Sequence, residues 1–589
     1  MRILHDNLDP EQEKIALESG ASRLVLAGPG SGKTRLLTNV AAFRVRQTPD
    51  SRRRILCVTF SVEATNQLRL RLRSPKLGVA NSPRLHIANF HQLGAQILHA
   101  YADRGGWSRT SQTMDNPDEF MKELLGDLSL GYLNRNAQGV ASAISRLRNR
   151  RSTENSPVPA QTLQTIADAY EARKLERCVW DFDDLIIRTV ELLDRAPEVL
   201  EVVQTMFEYI VVDELQDTSG FQLELLSRIS NAGATPLFGV ADDDQMIYAW
   251  RDARPENITE FETKFHAQEC LLVGNYRCPA KIVDAANSII APTRPAGASR
   301  AAESRVTKRE GQVISLVSGS GLDHGDVVAG VVAQELADGI EPKEVAILSA
   351  IGFRFPEIKT AFANANPQIP CVHVGDRTLA ATPIVRVLLS ALNCRERLVN
   401  PTSRSRLLRT LSQALPMTDA PDIEALAQEL IDAPSPDATL TVVRKALSIA
   451  STDQDAVHVR KIVLAATRDA AAYSQSHAAT SIVLEWNRLD AKLRREEQSV
   501  KLMTTFGAKG LEFDTVVIPF FEQGFTPYVR KGTAQDAEWW AEERRKLYVA
   551  MTRARRRVVF VCGGAPSVFL GELTGQTIAW SRNLPREVG

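Results

Sequence analysis

One octet constrains this chain more than any other stretch: Ala27-Gly28-Pro29-Gly30-Ser31-Gly32-Lys33-Thr34. From Gly28 onward it fits G-x-x-x-x-G-K-[ST]. The apolar run Leu24-Val25-Leu26-Ala27 leads in, and a helix-compatible run from Arg35 to Val45 leads out. Strand, glycine-rich loop and helix in that order make a phosphate-binding loop. Gly28, Gly30 and Gly32, with Ser31 among them, let backbone N–H groups close around phosphate oxygens, and the helix N-terminus adds partial positive charge. In that setting Lys33 reaches the β/γ-phosphates and the Thr34 hydroxyl holds Mg2+. The loop predicts nucleotide binding and leaves open what the energy is used for.

A chain of 589 residues suggests about three or four domains. No apolar run approaches the ~20 residues of a membrane span, so no membrane partner is expected. The stretch Met1 to Glu18 is charged and polar, unlike a secretory signal. The seven cysteines are scattered and none forms C-x-x-C, which argues against zinc or iron–sulfur ligation and for reduced thiols in a cytoplasm. With 71 basic and 71 acidic residues the net charge is zero, which decides nothing about nucleic acid because a basic stripe can sit on a neutral protein.

In chain order, Leu8-Asp9-Pro10-Glu11-Gln12 opens a helix ending near Gly20, with Asp9 as N-cap and Gln12 placed as in a capping box. Gln12 has two readings, a capping residue or a reader of an adenine edge. Ile55 to Phe60 and Leu85 to Phe90 read as strands, the second running into His91. Small polar or aromatic residues at three strand ends fit a parallel sheet with its site at the strand C-termini. Phe60 and Phe90 also suit a core. From about 101 to 178 strand patterns vanish, with helices expected at Pro117–Leu128 and Gln161–Arg177. An amphipathic helix with an acidic start is expected over Val179 to Leu193.

Tyr209-Ile210-Val211-Val212-Asp213-Glu214 is a buried strand ending in two carboxylates. Downstream of a phosphate loop, Asp213 fits the Mg2+ ligand and Glu214 the base that activates water. The strand Pro236–Ala241 runs into Asp242-Asp243-Asp244-Gln245-Met246-Ile247-Tyr248-Ala249-Trp250-Arg251. Gln245 suits a γ-phosphate sensor, and Tyr248 and Trp250 offer faces for base stacking. A second α/β alternation follows Asn275-Tyr276-Arg277, with strands at Gln312–Val317, Val345–Leu348 and Cys371–Val374, a helix-compatible stretch, a strand from Val500 to Thr505, a loop from Phe506 to Phe513 and a strand at Thr515–Pro519. A helix over Glu542 to Ala554 and a strand at Arg557–Cys562 complete it. This half has no phosphate loop, so it is expected to close over the first half's nucleotide and bring Arg277 and Arg553 to the γ-phosphate.

The ordered set LDPEQ, AGPGSGKT, VTFS, NFH, VVDELQDTS, ADDDQMIYAWRDA, NYRCP, TTFGAKGLEF and EERRKLYVAMTRA resembles the superfamily 1 DNA helicases of the UvrD/PcrA/Rep type. The resemblance runs from residue 8 to residue 554. It implies an α/β fold of two RecA-like parallel-sheet domains, each interrupted by a helical insertion: 1–100 and 179–274 for the first, 101–178 for its insertion, 275–395 and 500–589 for the second, and 396–499 for a reduced second insertion. It implies ATP hydrolysis driving 3′ to 5′ movement on single-stranded DNA or a tailed duplex. Gln12 and Arg35 then contact adenine, Tyr276 stacks on it and Glu512 meets the ribose. Lys33 and Thr34 hold phosphate and Mg2+, Asp213 the metal, and Glu214 is the base. Gln245 couples phosphate to DNA, and Arg277 and Arg553 are fingers. Phe60, Phe90, His91, Tyr248, Trp250 and Arg251 line the strand path. The chain departs from the family pattern at Ser61-Val62-Glu63, Ala241 and Phe506, and the stretch after its last motif is too short for an appended nuclease. Those departures sustain an alternative: a nucleotide-gated regulatory subunit controlling a partner such as a nuclease, in DNA repair or phage defence.

Overall fold

The computed structural model describes residues 8–18, 20–48, 51–60, 62–72, 74, 77–79, 82–109, 111–114, 117–150, 153, 156–247, 255–294, 301–317, 324–374, 382–396, 401–415, 419–449, 454–471, 490, 493–494, 497–529, 535–575 and 577–580. The chain divides into two compact units. The first comprises Met1–Arg277, Ile290–Thr307 and Ala537–Tyr548, and the second Cys278–Ile289, Lys308–Asp536 and Val549–Gly589.

The first unit is built on β1 (Arg23–Ala27), β2 (Arg54–Thr59), β3 (Leu85–Asn89), β6 (Phe207–Val212), β7 (Leu237–Ala241) and β8 (Gln268–Leu272). They form one sheet in the order β3-β2-β6-β7-β1-β8, parallel throughout. Their runs are short and almost wholly apolar because both faces are covered. Alternation then sends Leu24 and Leu26 into one core and Val25 and Ala27 into the other. The helices α1 (Pro10–Leu17), α2 (Lys33–Gln47), α3 (Val62–Leu72) and α4 (Phe90–Tyr101) precede a helical insertion of α5 (Pro117–Asp127), α6 (Ala137–Arg148) and α7 (Ala160–Glu176). The insertion has its own core, including Phe120, Leu124, Val140, Ile144, Leu163 and Ile166.

The structure corrects the sequence reading here in two places. Helix α6 was not expected, because its Gly, Ser and Gln content masks a stripe in which Ala137, Val140, Ala143 and Ile144 are buried. Two short strands also occur, β4 (Gln112–Thr113) pairing with β5 (Val179–Trp180). The following helix α8 (Phe182–Arg195) therefore starts after Asp181, whose side chain accepts from the Asp184 N–H in a reciprocal capping box. Helices α4 and α8 meet backbone to backbone. A Cβ on Gly94 would lie 2.0 Å from the Leu185 carbonyl oxygen, and the Thr189 hydroxyl donates to the Gly94 carbonyl at 3.2 Å.

The two-residue strands β9 (Gly274–Asn275) and β10 (Glu303–Ser304) pair in parallel within the first unit. Asn275, Tyr276 and Arg277 pack with the phosphate loop's own unit, whereas the expected boundary put them in the second domain. The reason is local: Asn275 Nδ2 donates to the Pro29 carbonyl at 2.7 Å, and Tyr276 N–H to the Gly30 carbonyl at 2.9 Å.

The second unit holds β11 (Gln312–Val317), β12 (Val345–Ser349), β13 (Cys371–His373), β14 (Val500–Thr504), β15 (Phe513–Ile518), β16 (Ala554–Cys562) and β17 (Thr577–Trp580) in the order β13-β14-β12-β15-β16-β11-β17, again parallel. Between β13 and β14 the described residues form helices that share a core of Leu388, Leu392, Leu407, Leu411, Leu430 and Val459. The expected loop after β14 opens as a helical turn, Thr505–Ala508, because the Thr504 side chain accepts from the Gly507 N–H. No helix among the described residues is long and apolar enough to cross a membrane.

Candidate active site

The sheet order sets the site. β6, β7 and β1 are neighbours, so their C-terminal ends bring Asp213, Asp242 and the phosphate loop together. At the end of β1 the chain turns through Gly30 (φ +68°) and Gly32 (φ +84°), left-handed conformations that suit glycine. Gly30 is also crowded: a Cβ there would sit 2.7 Å from the Arg277 Cβ and 2.8 Å from Asn275 Oδ1. Gly32 is the N-cap of α2, which presents Lys33 and Thr34 in its first turn. Ser31 Oγ donates to the Gly28 carbonyl at 2.7 Å and braces the loop.

Lys33 Nζ donates to the carbonyls of Ala27 and Gly28, at 2.9 and 3.2 Å, and to Asp242 Oδ2 at 2.6 Å. Gln245 Nε2 donates to the same Asp242 oxygen at 2.6 Å. The triplet after β7 thus supplies the phosphate-loop lysine with a carboxylate partner, a role the sequence did not disclose for Asp242. Asp244, by contrast, is paired with Arg294 at 2.6 Å. Asp213 is buried, and its Oδ1 accepts the Glu214 N–H at 3.1 Å. Glu214 sits at φ +52°, an uncommon conformation for a residue with a Cβ. Burial, and then the adjacent Glu214 charge, push the Asp213 carboxyl up to about 7, while Lys33 acts in the opposite direction. Burial also raises Asp242 despite Lys33. Two carboxylates in so little water, facing a phosphate loop, are a site arranged for added positive charge.

Beside the loop lies a cavity of about 300 Å3 lined by Gln12, Ser31, Leu272, Gly274, Tyr276 and Arg305. Gln12 closes the capping box with Asp9, and its Nε2 donates to the Ser31 carbonyl at 2.7 Å on the cavity wall. Tyr276 is 40% exposed, enough to offer a ring face, and its hydroxyl donates to the Asp9 carboxylate. Burial and that hydrogen bond push the Tyr276 phenol up to about 12. Arg35 and Arg277 are half-buried nearby in the chain.

Residues 8–266 match the UvrD/REP helicase N-terminal domain, and residues 458–562 match the UvrD-like helicase C-terminal domain. The ATP-dependent DNA helicase PcrA of Staphylococcus epidermidis is 26% identical, over 94% of this chain and 83% of the relative. The ATP-dependent DNA helicase PcrA of Staphylococcus aureus is 25% identical, over 97% of this chain and 85% of the relative. The chain belongs to the UvrD/PcrA/Rep family of superfamily 1 helicases. As a member it is an ATP-hydrolysing helicase.

In this helicase the expected strand-path residues divide. Phe60 directly follows β2, half-buried, and His91 lies half-buried in the first turn of α4. Phe90 is corrected: it is 1% exposed, in the core with Leu56, Val58 and Ala88, because the first helical position turns inward over the sheet. Tyr248, Trp250 and Arg251 lie outside the described residues, as does Ser61, and so do the side chains of Val62 and Glu63. Sequence reasoning missed Phe182. It is 60% exposed and its ring meets His91 edge-on at 5.7 Å. An aromatic at the first position of a helix beside a strand end is the signal that was available.

In the second unit, Glu512 is exposed and accepts from Arg555 at 3.4 Å. Arg553 is 2% exposed, its guanidinium donating to the Val549 carbonyl at 2.9 Å and to the Thr552 hydroxyl at 3.1 Å.

Proposed function

We propose that this helicase couples ATP hydrolysis to 3′ to 5′ movement along single-stranded DNA and separates tailed duplexes. The observation that carries the reading is the junction of three strand ends, where Lys33, Asp213 with Glu214, and Asp242 with Gln245 share one buried network. The names of the PcrA relatives support ATP as fuel and DNA as track, and the family resemblance supports the polarity.

In this reading Gln12, Arg35 and Tyr276 hold the adenine, and Glu512 meets the ribose. Gly28, Gly30, Ser31 and Gly32 cradle the phosphates with backbone N–H groups. Lys33 leaves Asp242 for the β/γ-phosphates, which releases Gln245 to follow the γ-phosphate. Glu214 takes the proton of the attacking water, and Arg277 and Arg553 are assigned to the transferring phosphoryl group. The Thr34 hydroxyl and the Asp213 carboxylate are hard oxygen donors of the kind Mg2+ takes, and the burial of Asp213 beside Glu214, only partly offset by Lys33, fits a cation there. When bound, that ion supplies charge neutralisation at the β- and γ-oxygens. Phe60, His91 and Phe182, with Tyr248, Trp250 and Arg251, are assigned to the strand path, stacking on bases.

The test is ATPase activity with and without single-stranded DNA, together with strand displacement on 3′- and 5′-tailed duplexes. Stimulation by DNA and displacement of the 3′-tailed duplex alone are expected. Absence of stimulation refutes the reading, and preference for the 5′ tail refutes the polarity.

A further inference from the structure

Gln216 belongs to none of the roles above, yet its side chain is fully buried between the ends of β6 and β7. Its Oε1 accepts the Asp242 N–H at 2.9 Å, and its Nε2 donates to the Glu214 carboxylate. The amide has one orientation: a backbone N–H requires the oxygen on one side, and a carboxylate requires the NH2 group on the other. One rigid planar group therefore ties the carboxylate assigned as base to the backbone of the residue that holds Lys33 and Gln245. Glu214 needs such a tether, because its backbone is held in the left-handed region.

We propose that Gln216 is a positioning residue that holds Glu214 in its hydrolytic rotamer and couples it to the segment beginning at Asp242. That segment includes Gln245, whose Nε2 donates to the Asp242 carboxylate, so displacement of Gln245 reaches the base through the Asp242 N–H and the Gln216 amide. The inference rests on the assignment of Glu214 under Proposed function. It adds a route by which DNA raises the hydrolytic rate: the amide can transmit displacement of the β7 end only while both of its hydrogen bonds hold.

Two substitutions separate this from simple packing. Gln216→Met keeps the length and volume and loses both bonds. Gln216→Glu keeps an acceptor for the Asp242 N–H, loses the donor and sets a second carboxylate against Glu214. Affinity for ATPγS and single-turnover ATP hydrolysis are measured for the full chain with and without oligo(dT). Expected for Gln216→Met are ATPγS affinity within about twofold of wild type, single-turnover hydrolysis slower by roughly tenfold or more, and a reduced ratio of DNA-stimulated to basal rate. Gln216→Glu is expected to be slower still, with its ATPγS affinity showing that it is folded. Wild-type rates in either variant overturn the proposal, as does an unchanged DNA-stimulation ratio in Gln216→Met. If wild type itself is not stimulated by DNA, the translocase reading fails separately, and the basal single-turnover rates still decide whether Gln216 positions Glu214.

Discussion

Lys174→Met tests the buried ion network that fastens the first helical insertion to the sheet domain. Lys174 has no side-chain exposure, and its Nζ lies 2.7 Å from Glu171, 2.9 Å from Asp181 and 2.8 Å from Asp184. Asp184 is equally buried and also meets Arg148 and Arg188. Methionine matches the length of the lysine stem, so the change removes charge with little change in volume. Breaking a buried ionic group by removing one partner costs about 3–5 kcal/mol, and because two arginines stay on Asp184 the lower end, about 3 kcal/mol, is expected. At about 2–4 °C per kcal/mol for a domain of this order, the calorimetric transition of the first unit falls by about 6–12 °C. Burial opposes ionisation of Asp181, but Lys174 and then Arg148 hold its carboxyl below the usual range. A depressed carboxylate contributes stability that is present above its unfolded value of about 3.9 and is lost as pH falls below it. The gap between wild type and Lys174→Met therefore narrows on acidification below about pH 4. A transition displaced by less than about 2 °C at neutral pH, or a gap that widens in acid, refutes the reasoning.

The other predictions concern turnover and the strand path. Lys33→Ala lowers ATP hydrolysis by at least about a hundredfold, since it removes the one side-chain cation in the phosphate loop, and a steady-state ATPase assay checks it. Glu214→Gln retains ATPγS binding and loses roughly 10²–10⁴-fold in turnover, and normal turnover removes Glu214 as the base. Phe182→Ala weakens single-stranded DNA binding by about 5- to 100-fold in a fluorescence anisotropy titration, as expected for loss of a stacking face worth ~1–3 kcal/mol, whereas unchanged affinity places Phe182 off the path.

The strand, loop and helix around Gly28 to Thr34 were readable because period, glycine spacing and flanking apolar runs are all local. The strands ending at Asp213 and Asp242 were readable for the same reason. Their adjacency was not, because the order β6-β7-β1 is set by tertiary pairing, which brings Lys33 to an Asp242 that stands 209 positions away. That is why the Lys33–Asp242 pair and the Gln216 bridge emerge only from the structure. Phe90 shows the limit at single-residue scale. A strand end and a helix start differ by one position, and that shift turns a side chain from the sheet's edge into its core. Asn275 was visible only as part of a motif, while its contact with Pro29 spans 246 positions of sequence.

The bare backbone contact at Gly94 bears on how such a chain can change over generations. Helix α4 carries the chain out of the sheet domain and α8 brings it back, and the two are in direct contact, with the His91 ring 5.7 Å from that of Phe182. Exit and return are therefore a single place on the domain. Whatever is spliced between them meets a closure cost that grows by only about 0.6 kcal/mol per doubling of its length. The two stems act as a fixed socket, and the segment mounted on it is open to enlargement, trimming or exchange while the catalytic sheet beneath keeps its register. Gly94 itself has no such latitude, since any larger residue would prise the socket apart.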